Sequence, residues 1–214
     1  MMTDMAEERM GGRMPTLCAR LFRPFEHIAG APSLALGLVA ILAAGFVGGL
    51  SGTYFDGVLD THTGFAVRPG LFLGAGFLDW LSLSVVLLVM GKLASRTAFR
   101  PVDLFGTQAL ARWPTLVAAL AALVPSQHRL AAGFIAQVPT PAPAALDLRT
   151  VDFVFGGLAI IVMILCLIWM VWLMYDSYSI CCNLRGGKAV RTFIAALLLA
   201  EIVSKIAIVR VLLG

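Results

Sequence analysis

The sequence predicts an all-α fold, a membrane bundle of five transmembrane helices preceded by a short N-terminal interfacial helix. First, 60% of the 214 residues are hydrophobic and only 13% are charged, against roughly 45–50% and about 25% in soluble domains. A soluble fold of this size cannot bury that excess, and a disordered chain or nucleic-acid-binding domain needs more polar residues. Second, the apolar residues form five segments, and the length of each is close to the roughly 20 residues that a helix needs to cross a bilayer.

The chain begins with a polar segment that is predicted to remain outside the bilayer. Residues 1–15 are expected to be a disordered cytoplasmic N-terminus, and residues 16–31 an interfacial amphipathic segment. The apolar residues predicted to share one helix face are Leu17, Leu21, Phe25 and Ile28. This spacing is typical of a helix lying at the membrane surface. Pro24 disfavours a continuous helix, so two short helices are the alternative to one. The segment is expected to anchor the chain at the membrane, with binding of a partner as the alternative.

The transmembrane domain is predicted over residues 32–214. Its five spans lie at about 32–50, 70–90, 104–124, 154–175 and 189–213. The third span has an alternative, from Pro114 to about Phe134. We prefer the earlier boundaries because the polar segment Ser126–Arg129 would otherwise lie near the bilayer centre, where such groups are costly.

The distribution of Lys and Arg predicts the orientation. Eleven of these cations lie before span one, between spans two and three, and between spans four and five, or just inside the neighbouring span, whereas the other two loops hold three. Cytoplasmic loops are enriched in Lys and Arg, so the N-terminus is expected in the cytoplasm. Five spans then place the C-terminus outside. The expected location is the plasma membrane, the inner membrane of a bacterium.

Three ionisable residues form a predicted intramembrane charge cluster, with Asp79 in span two and Glu201 and Lys205 in span five. Glu201 and Lys205 are four residues apart and share a helix face. At ~1.5 Å per residue, Asp79 and Lys205 lie about 14 and about 12 Å from their outer span ends. We therefore predict that spans two and five touch and that Asp79 faces Lys205. The cluster holds the helices together or lines an ion or proton path.

Glycines at four-residue spacing predict close helix packing near the outer ends of spans one and two. The pairs are Gly45 with Gly49, Gly48 with Gly52, and Gly70 with Gly74. Small residues at this spacing allow two membrane helices to approach closely. The contact is predicted within the chain, and a contact between copies of the chain is the weaker alternative.

No catalytic or metal site is predicted. The string Gly49–Gly52 matches the GxSG pattern of rhomboid-type proteases, but the three histidines of the chain lie outside the predicted spans, and that chemistry requires a nearby base. Asp56, Asp60 and His62 lie close together in one loop, without a second group of ligands that would complete a metal shell. We therefore expect no enzyme activity, no metal and no cofactor.

Three blocks of sequence resemble the prokaryotic members of the Yip-domain family of integral membrane proteins. They are Gly91-Lys92, Gly106–Pro114, and Tyr178–Ile180 with Asn183–Lys188. The resemblance extends from about Leu21 to the end of the chain. It implies five membrane spans, and the family offers no catalytic residues to transfer.

The sequence thus predicts a non-enzymatic integral membrane protein that acts through helix packing and through protein or lipid interaction. The lipid bilayer is the expected partner, together with membrane proteins or further copies of the chain, and no nucleic acid is expected. The alternative is a small transporter or channel that uses Asp79, Glu201 and Lys205.

Overall fold

The computed structural model describes residues 21–54, 57–60, 62–63, 69–136 and 149–213. The predicted disordered segment and the first part of the predicted interfacial segment lie outside these residues. In the described part of that segment, Pro24–Glu26 form a 3-10 helix. The α-helices are α1 (Gly30–Ser51), α2 (Pro69–Ala94), α3 (Pro101–Leu110), α4 (Pro114–Ala121), α5 (Pro125–Ala136), α6 (Gly157–Cys181) and α7 (Gly186–Ile208). Five-residue π-helical turns precede α6, at Asp152–Gly156, and follow α7, at Val209–Leu213.

Four helical segments are long and apolar enough to cross a membrane: Gly30–Ser51, Gly70–Ala94, Asp152–Cys181 and Gly186–Val211. The count is five when a bent helix pair is taken as one span. This confirms the predicted all-helical class and the apolar spans that indicate a membrane protein. Large apolar side chains cover the outer surfaces of these helices, among them Val39, Phe46, Ile168, Leu198 and Ile202. Such exposure is expected where lipid replaces water as the neighbour.

The structure divides the predicted third span. Helix α3 ends at Leu110, α4 begins at Pro114, and α5 begins at Pro125. The segments 101–121 and 125–133 are bent by 84° relative to each other. Proline is favoured at the first position of a helix because it lacks an N–H group that would be unpaired there. Each proline therefore begins a new helix at these positions.

A short β-hairpin follows the C-terminal end of α1. Strand β1 (Thr53–Tyr54) pairs antiparallel with β2 (His62–Thr63), and residues 57–60 lie between the strands. Gly52, which was predicted to pack helices, instead ends α1 in the left-handed conformation with φ of 64°. Glycine adopts this conformation without steric cost, so Gly52 turns the chain into the hairpin.

Helix α1 packs against α2, α3 and α4, helix α2 packs against α7, and α6 packs against α4. The contact of α1 with α3 is the closest of these. A Cβ atom on Gly37 would collide with the backbone of Ala109 and Leu110, and one on Gly106 would collide with the carbonyl oxygen of Gly30. The helices approach so closely there that only glycine fits, which fixes the position of α3 and of the chain that follows it.

Candidate functional site

A cavity of about 410 Å³ lies between α1, α2, α4, α6 and the loop of residues 57–60. Its apolar wall includes Ile41, Ala44, Phe72, Ile160, Met163, Ile164, Leu167 and Met170. The polar residues that line it are Asp60, Asp79, Arg112, Thr115 and Gln127. Small-molecule sites have this composition, a mainly apolar wall with a few polar groups, and volumes of roughly 300–1,000 Å³.

Asp79 lies on α2 and is completely buried. The hydroxyl of Ser204 on α7 donates a hydrogen bond to Oδ1 of Asp79. The contact links α2 to α7, the two helices that correspond to predicted spans two and five. A carboxylate inside a membrane bundle requires such donors, because lipid supplies none.

Arg112 lies in the short break between α3 and α4, and only 4% of its surface is exposed. Helix α3 ends two residues before it and Pro114 begins the next helix two residues after it, so the break turns the side chain toward the bundle interior. Its charge interacts with those of Asp79 and Glu201. The Nε and Nη2 atoms have no hydrogen-bond partner among the described residues. The cavity is therefore lined by a buried cation with unused donors.

Glu201 and Lys205 on α7 hold the loop of residues 57–60. The ammonium group of Lys205 lies 2.7 Å from Oδ2 of Asp60 and 3.4 Å from Oε1 of Glu201. Oε2 of Glu201 accepts a hydrogen bond of 3.0 Å from the backbone N–H of Leu59. Because Leu59 and Asp60 also line the cavity, these contacts close one side of it.

The predicted contact between spans two and five is correct, but the predicted pairing of Asp79 with Lys205 is wrong. Asp79 accepts its hydrogen bond from Ser204, and Lys205 pairs with Asp60 and Glu201. Consecutive residues of a helix point about 100° apart, so Ser204 and Lys205 cannot both face Asp79. The acid that pairs with Lys205, Asp60, lies in a loop, whereas equal depth in the membrane relates only residues within spans.

Sequence reasoning missed Arg112 as a site residue. Its position in the first turns of the predicted third span placed it among the cations of the cytoplasmic side. The signal available was its place directly before Trp113 and Pro114, since a proline inside an apolar segment marks a helix boundary. A boundary there leaves Arg112 in a break within the bundle.

The predicted packing glycines differ in their surroundings. A Cβ atom on Gly45 would lie 3.1 Å from Leu73 Cδ2, and one on Gly49 would lie 3.6 Å from Phe72 Cδ2, so both face α2. Gly48 is buried, whereas Gly74 is only partly buried. A Cβ atom on Gly70 would meet nothing within 4 Å of it. The tightest contacts of α1 instead involve Gly37 and Gly106, which have no glycine partner at four-residue spacing.

A second buried polar group, called here the α3–α6 network, consists of Thr107, Gln108, Ser177 and Cys181. Ser177 donates a hydrogen bond of 2.6 Å to the Thr107 hydroxyl, which lies 3.4 Å from the Cys181 sulfur. The side-chain N–H₂ of Gln108 donates to Ser177 at 3.0 Å and to the backbone oxygen of Met174 at 2.9 Å. These neutral groups join α3 to α6, and none of the four residues lines the cavity.

The described residues contain no group of three or more His, Cys, Asp or Glu side chains that could hold a metal ion. Asp56 and the side chain of His62 lie outside the described part of the chain. The hydroxyl of Ser51, in the protease-like string, donates to the backbone oxygen of Gly48 at 3.0 Å. That contact is the usual one for a serine near a helix end.

Comparison with known proteins returns no matching family model, no matching curated protein and no matching solved structure. The resemblance to the Yip-domain family therefore stays a prediction from the sequence.

Proposed function

We propose that this chain is a non-enzymatic integral membrane protein that acts through interactions within the bilayer and binds a small ligand in the cavity between its helices. The cavity supports this proposal because it is lined by Arg112, whose Nε and Nη2 have no partner among the described residues. A buried cation with unused donors is costly in an apolar medium. A ligand that supplies acceptors would recover that free energy. The Yip-domain resemblance, which implies no catalytic residues, belongs to the same proposal.

In this proposal the N-terminus lies in the cytoplasm of a bacterium and the C-terminus lies outside the inner membrane. Residues 101–121 cross the bilayer, because 21 residues at about 1.5 Å each match the hydrocarbon thickness of about 30 Å. Helix α5, bent by 84° from that segment, then lies along the outer surface. Reporter fusions after Arg100 and after Arg149 should report cytoplasmic and outer positions. If both fusions report a cytoplasmic position, residues 101–121 do not cross the bilayer.

The ligand-binding function is tested by native mass spectrometry of the protein purified from its membranes. Met163 lines the cavity, so Met163→Trp should fill the space and remove a co-purified ligand. Ile168 lies on the same helix and is 61% exposed, which makes Ile168→Trp the matched control. Ligand occupancy that is equal in the two variants would contradict binding in the cavity.

A small transporter or channel is the second candidate, because the polar residues span two sides of the cavity. Asp79 lines it, and the Glu201 and Lys205 contacts hold the loop of residues 57–60 over it. Asp79→Asn should then abolish ion or solute flux in proteoliposomes while the folded yield is unchanged. A parallel loss of folded protein would instead show that Asp79 holds α2 and α7 together.

A further inference from the structure

The unpartnered atoms of Arg112 form one edge of its guanidinium group. Nε and Nη2 carry N–H bonds that point in nearly the same direction, and this fork receives two oxygens of one carboxylate or phosphate group. Both atoms are buried and lack a hydrogen-bond partner among the described residues. Gln127, 3% exposed, lines the same cavity, and its Oε1 also has no partner there. The two donors of Arg112 therefore fit a ligand with a two-oxygen headgroup, whereas the Gln127 oxygen is an acceptor and binds only a donor, such as the O–H of a protonated acid.

We propose that the cavity binds a single-chain lipid with an acid headgroup, whose two oxygens accept hydrogen bonds from Nε and Nη2 of Arg112. This inference rests on the proposed function and names the chemical class of its ligand. The apolar wall of α6, which includes Ile160, Met163 and Leu167, takes the hydrocarbon tail. A volume of about 410 Å³ lies near the lower end of small-ligand sites, which favours one chain.

The acidic residues around the cavity already accept hydrogen bonds or pair with cations. Asp79 accepts from Ser204, Asp60 pairs with Lys205, and Glu201 accepts from the backbone N–H of Leu59. The guanidinium edge of Arg112 has no such contact with a described residue. An incoming acid group therefore meets unused donors at Arg112 and does not have to displace one of these acids.

The proposed path from the bilayer to the cavity passes beside Ile164. This residue lines the cavity and is also 51% exposed. It lies 12 residues after Asp152 in a segment of 30 residues, about 18 Å along the helix at ~1.5 Å per residue. The cavity thus reaches the surface at hydrocarbon depth, where a lipid tail can enter sideways.

The ligand class is tested with purified full-length protein and a 16-carbon carboxylic acid that carries a diazirine in its tail. Photolysis should label α6 between Ile160 and Met170. Palmitate should compete with the label, whereas 1-hexadecanol, of equal chain length and without the second oxygen, should not. Competition by hexadecyl phosphate but not by palmitate would identify a phosphate as the acid headgroup and would still support the fork at Arg112. Equal competition by hexadecanol would overturn the acid headgroup while leaving the proposed binding of a ligand intact.

Variants of Arg112 locate the headgroup. Arg112→Met should weaken probe binding by roughly ten- to hundredfold, the value of hydrogen bonds to a charged group. Arg112→Lys, which keeps the charge but loses the fork, should lie between wild type and Arg112→Met and guards against a variant that fails to fold. Arg191→Met is the matched control, since Arg191 is exposed and bonds only a backbone oxygen of its own helix among the described residues. Probe binding that is unchanged in both Arg112 variants, or absence of labelling in the wild type, would overturn the proposal. Ligand occupancy that is equal in Met163→Trp and Ile168→Trp would overturn the proposed function as well.

Discussion

Buried polar groups occur in two regions of this bundle, and the regions differ in charge and in how many donors are left over. In the α3–α6 network the hydroxyl and amide donors of Thr107, Gln108 and Ser177 all have partners, and only the neutral acceptor Oε1 of Gln108 has none among the described residues. The cavity is lined by the ionisable side chains of Asp60, Asp79 and Arg112, and Arg112 has two donors without a partner among the described residues. Neutral groups join two helices in the first region, whereas ionisable side chains line the cavity in the second.

The number of donors without a partner among the described residues distinguishes the α3–α6 network, which stabilises the fold, from the cavity, which has donors free to bind a ligand. A neutral network whose hydroxyl and amide donors all have partners joins two helices, so its residues contribute to stability. An ionised group beside a cavity is costly until a ligand or a water satisfies it. The same physical rule therefore favours a structural role for the α3–α6 network and supports the proposed ligand-binding role of the cavity.

The largest expected effect comes from the closely packed region. Gly37→Ala should destabilise the protein by about 3 kcal/mol or more, above the usual 1–3 kcal/mol for overpacking, because the added methyl group meets backbone atoms of α3. Thermal unfolding in detergent, followed by size-exclusion chromatography, measures the loss. Gly70→Ala is the control, since a Cβ atom there meets nothing within 4 Å. Equal stability of the two variants would show that α1 and α3 are not held at this distance.

The next effect tests the cavity through its ligand. Palmitate at 100 times its Kd should stabilise wild-type protein by about 2.7 kcal/mol, and this gain should disappear in Arg112→Met. A thermal shift measured with and without palmitate gives both values. Gln108→Met should keep the full gain, because Gln108 does not line the cavity. A gain that is lost in both variants would mean that the two regions are not separate.

The sequence was sufficient to predict the helices because each carries its own signal. Apolar segments of about 20 residues predict α1, α2, α6 and α7, and the contact of α2 with α7 followed from charges at similar depth. The break within residues 101–121 was harder to predict, since the composition remains apolar on both sides of Arg112. A proline at the first position of a helix is compatible with one bent span or with two helices.

The site was only partly predictable, because it depends on contacts between distant segments. Asp79 was found because an acid within an apolar segment stands out. The pairing of Lys205 with Asp60 joins residues separated by 145 positions, and one of them lies in a loop whose position no periodicity reports. Ser204 carried no signal, since a single serine in a membrane helix is common. The satisfied contacts of Thr107, Gln108 and Ser177 likewise required the packing of α3 on α6.

A smaller effect is expected from the α3–α6 network itself. Gln108→Met should cost about 1 kcal/mol, the net value of a typical hydrogen bond. The cost stays small because Ser177 still donates to Thr107 and the unsatisfied oxygen of Gln108 is removed. Unfolding in the absence of ligand measures it, with Ser177→Ala as a companion variant that removes contacts to both neighbours. A loss above about 3 kcal/mol would show that the network is more strongly coupled than its contacts imply.

The smallest effect is expected where α7 holds the loop over the cavity. The side chains of Lys205 and Asp60 are 45% and 40% exposed, and ion pairs in such surroundings contribute about 0.2–1 kcal/mol. A double-mutant cycle of Asp60→Asn with Lys205→Gln should therefore give a coupling energy in that range, lower at high salt. The matched cycle of Asp79→Asn with Lys205→Gln should give a coupling within about 0.5 kcal/mol of zero, because Ser204 rather than Lys205 contacts Asp79. The opposite result, with Lys205 coupled to Asp79 and not to Asp60, would place the lysine at the interface of α2 and α7. The loop would then be attached to α7 through the hydrogen bond between the Leu59 N–H and Glu201 and not through the ion pair.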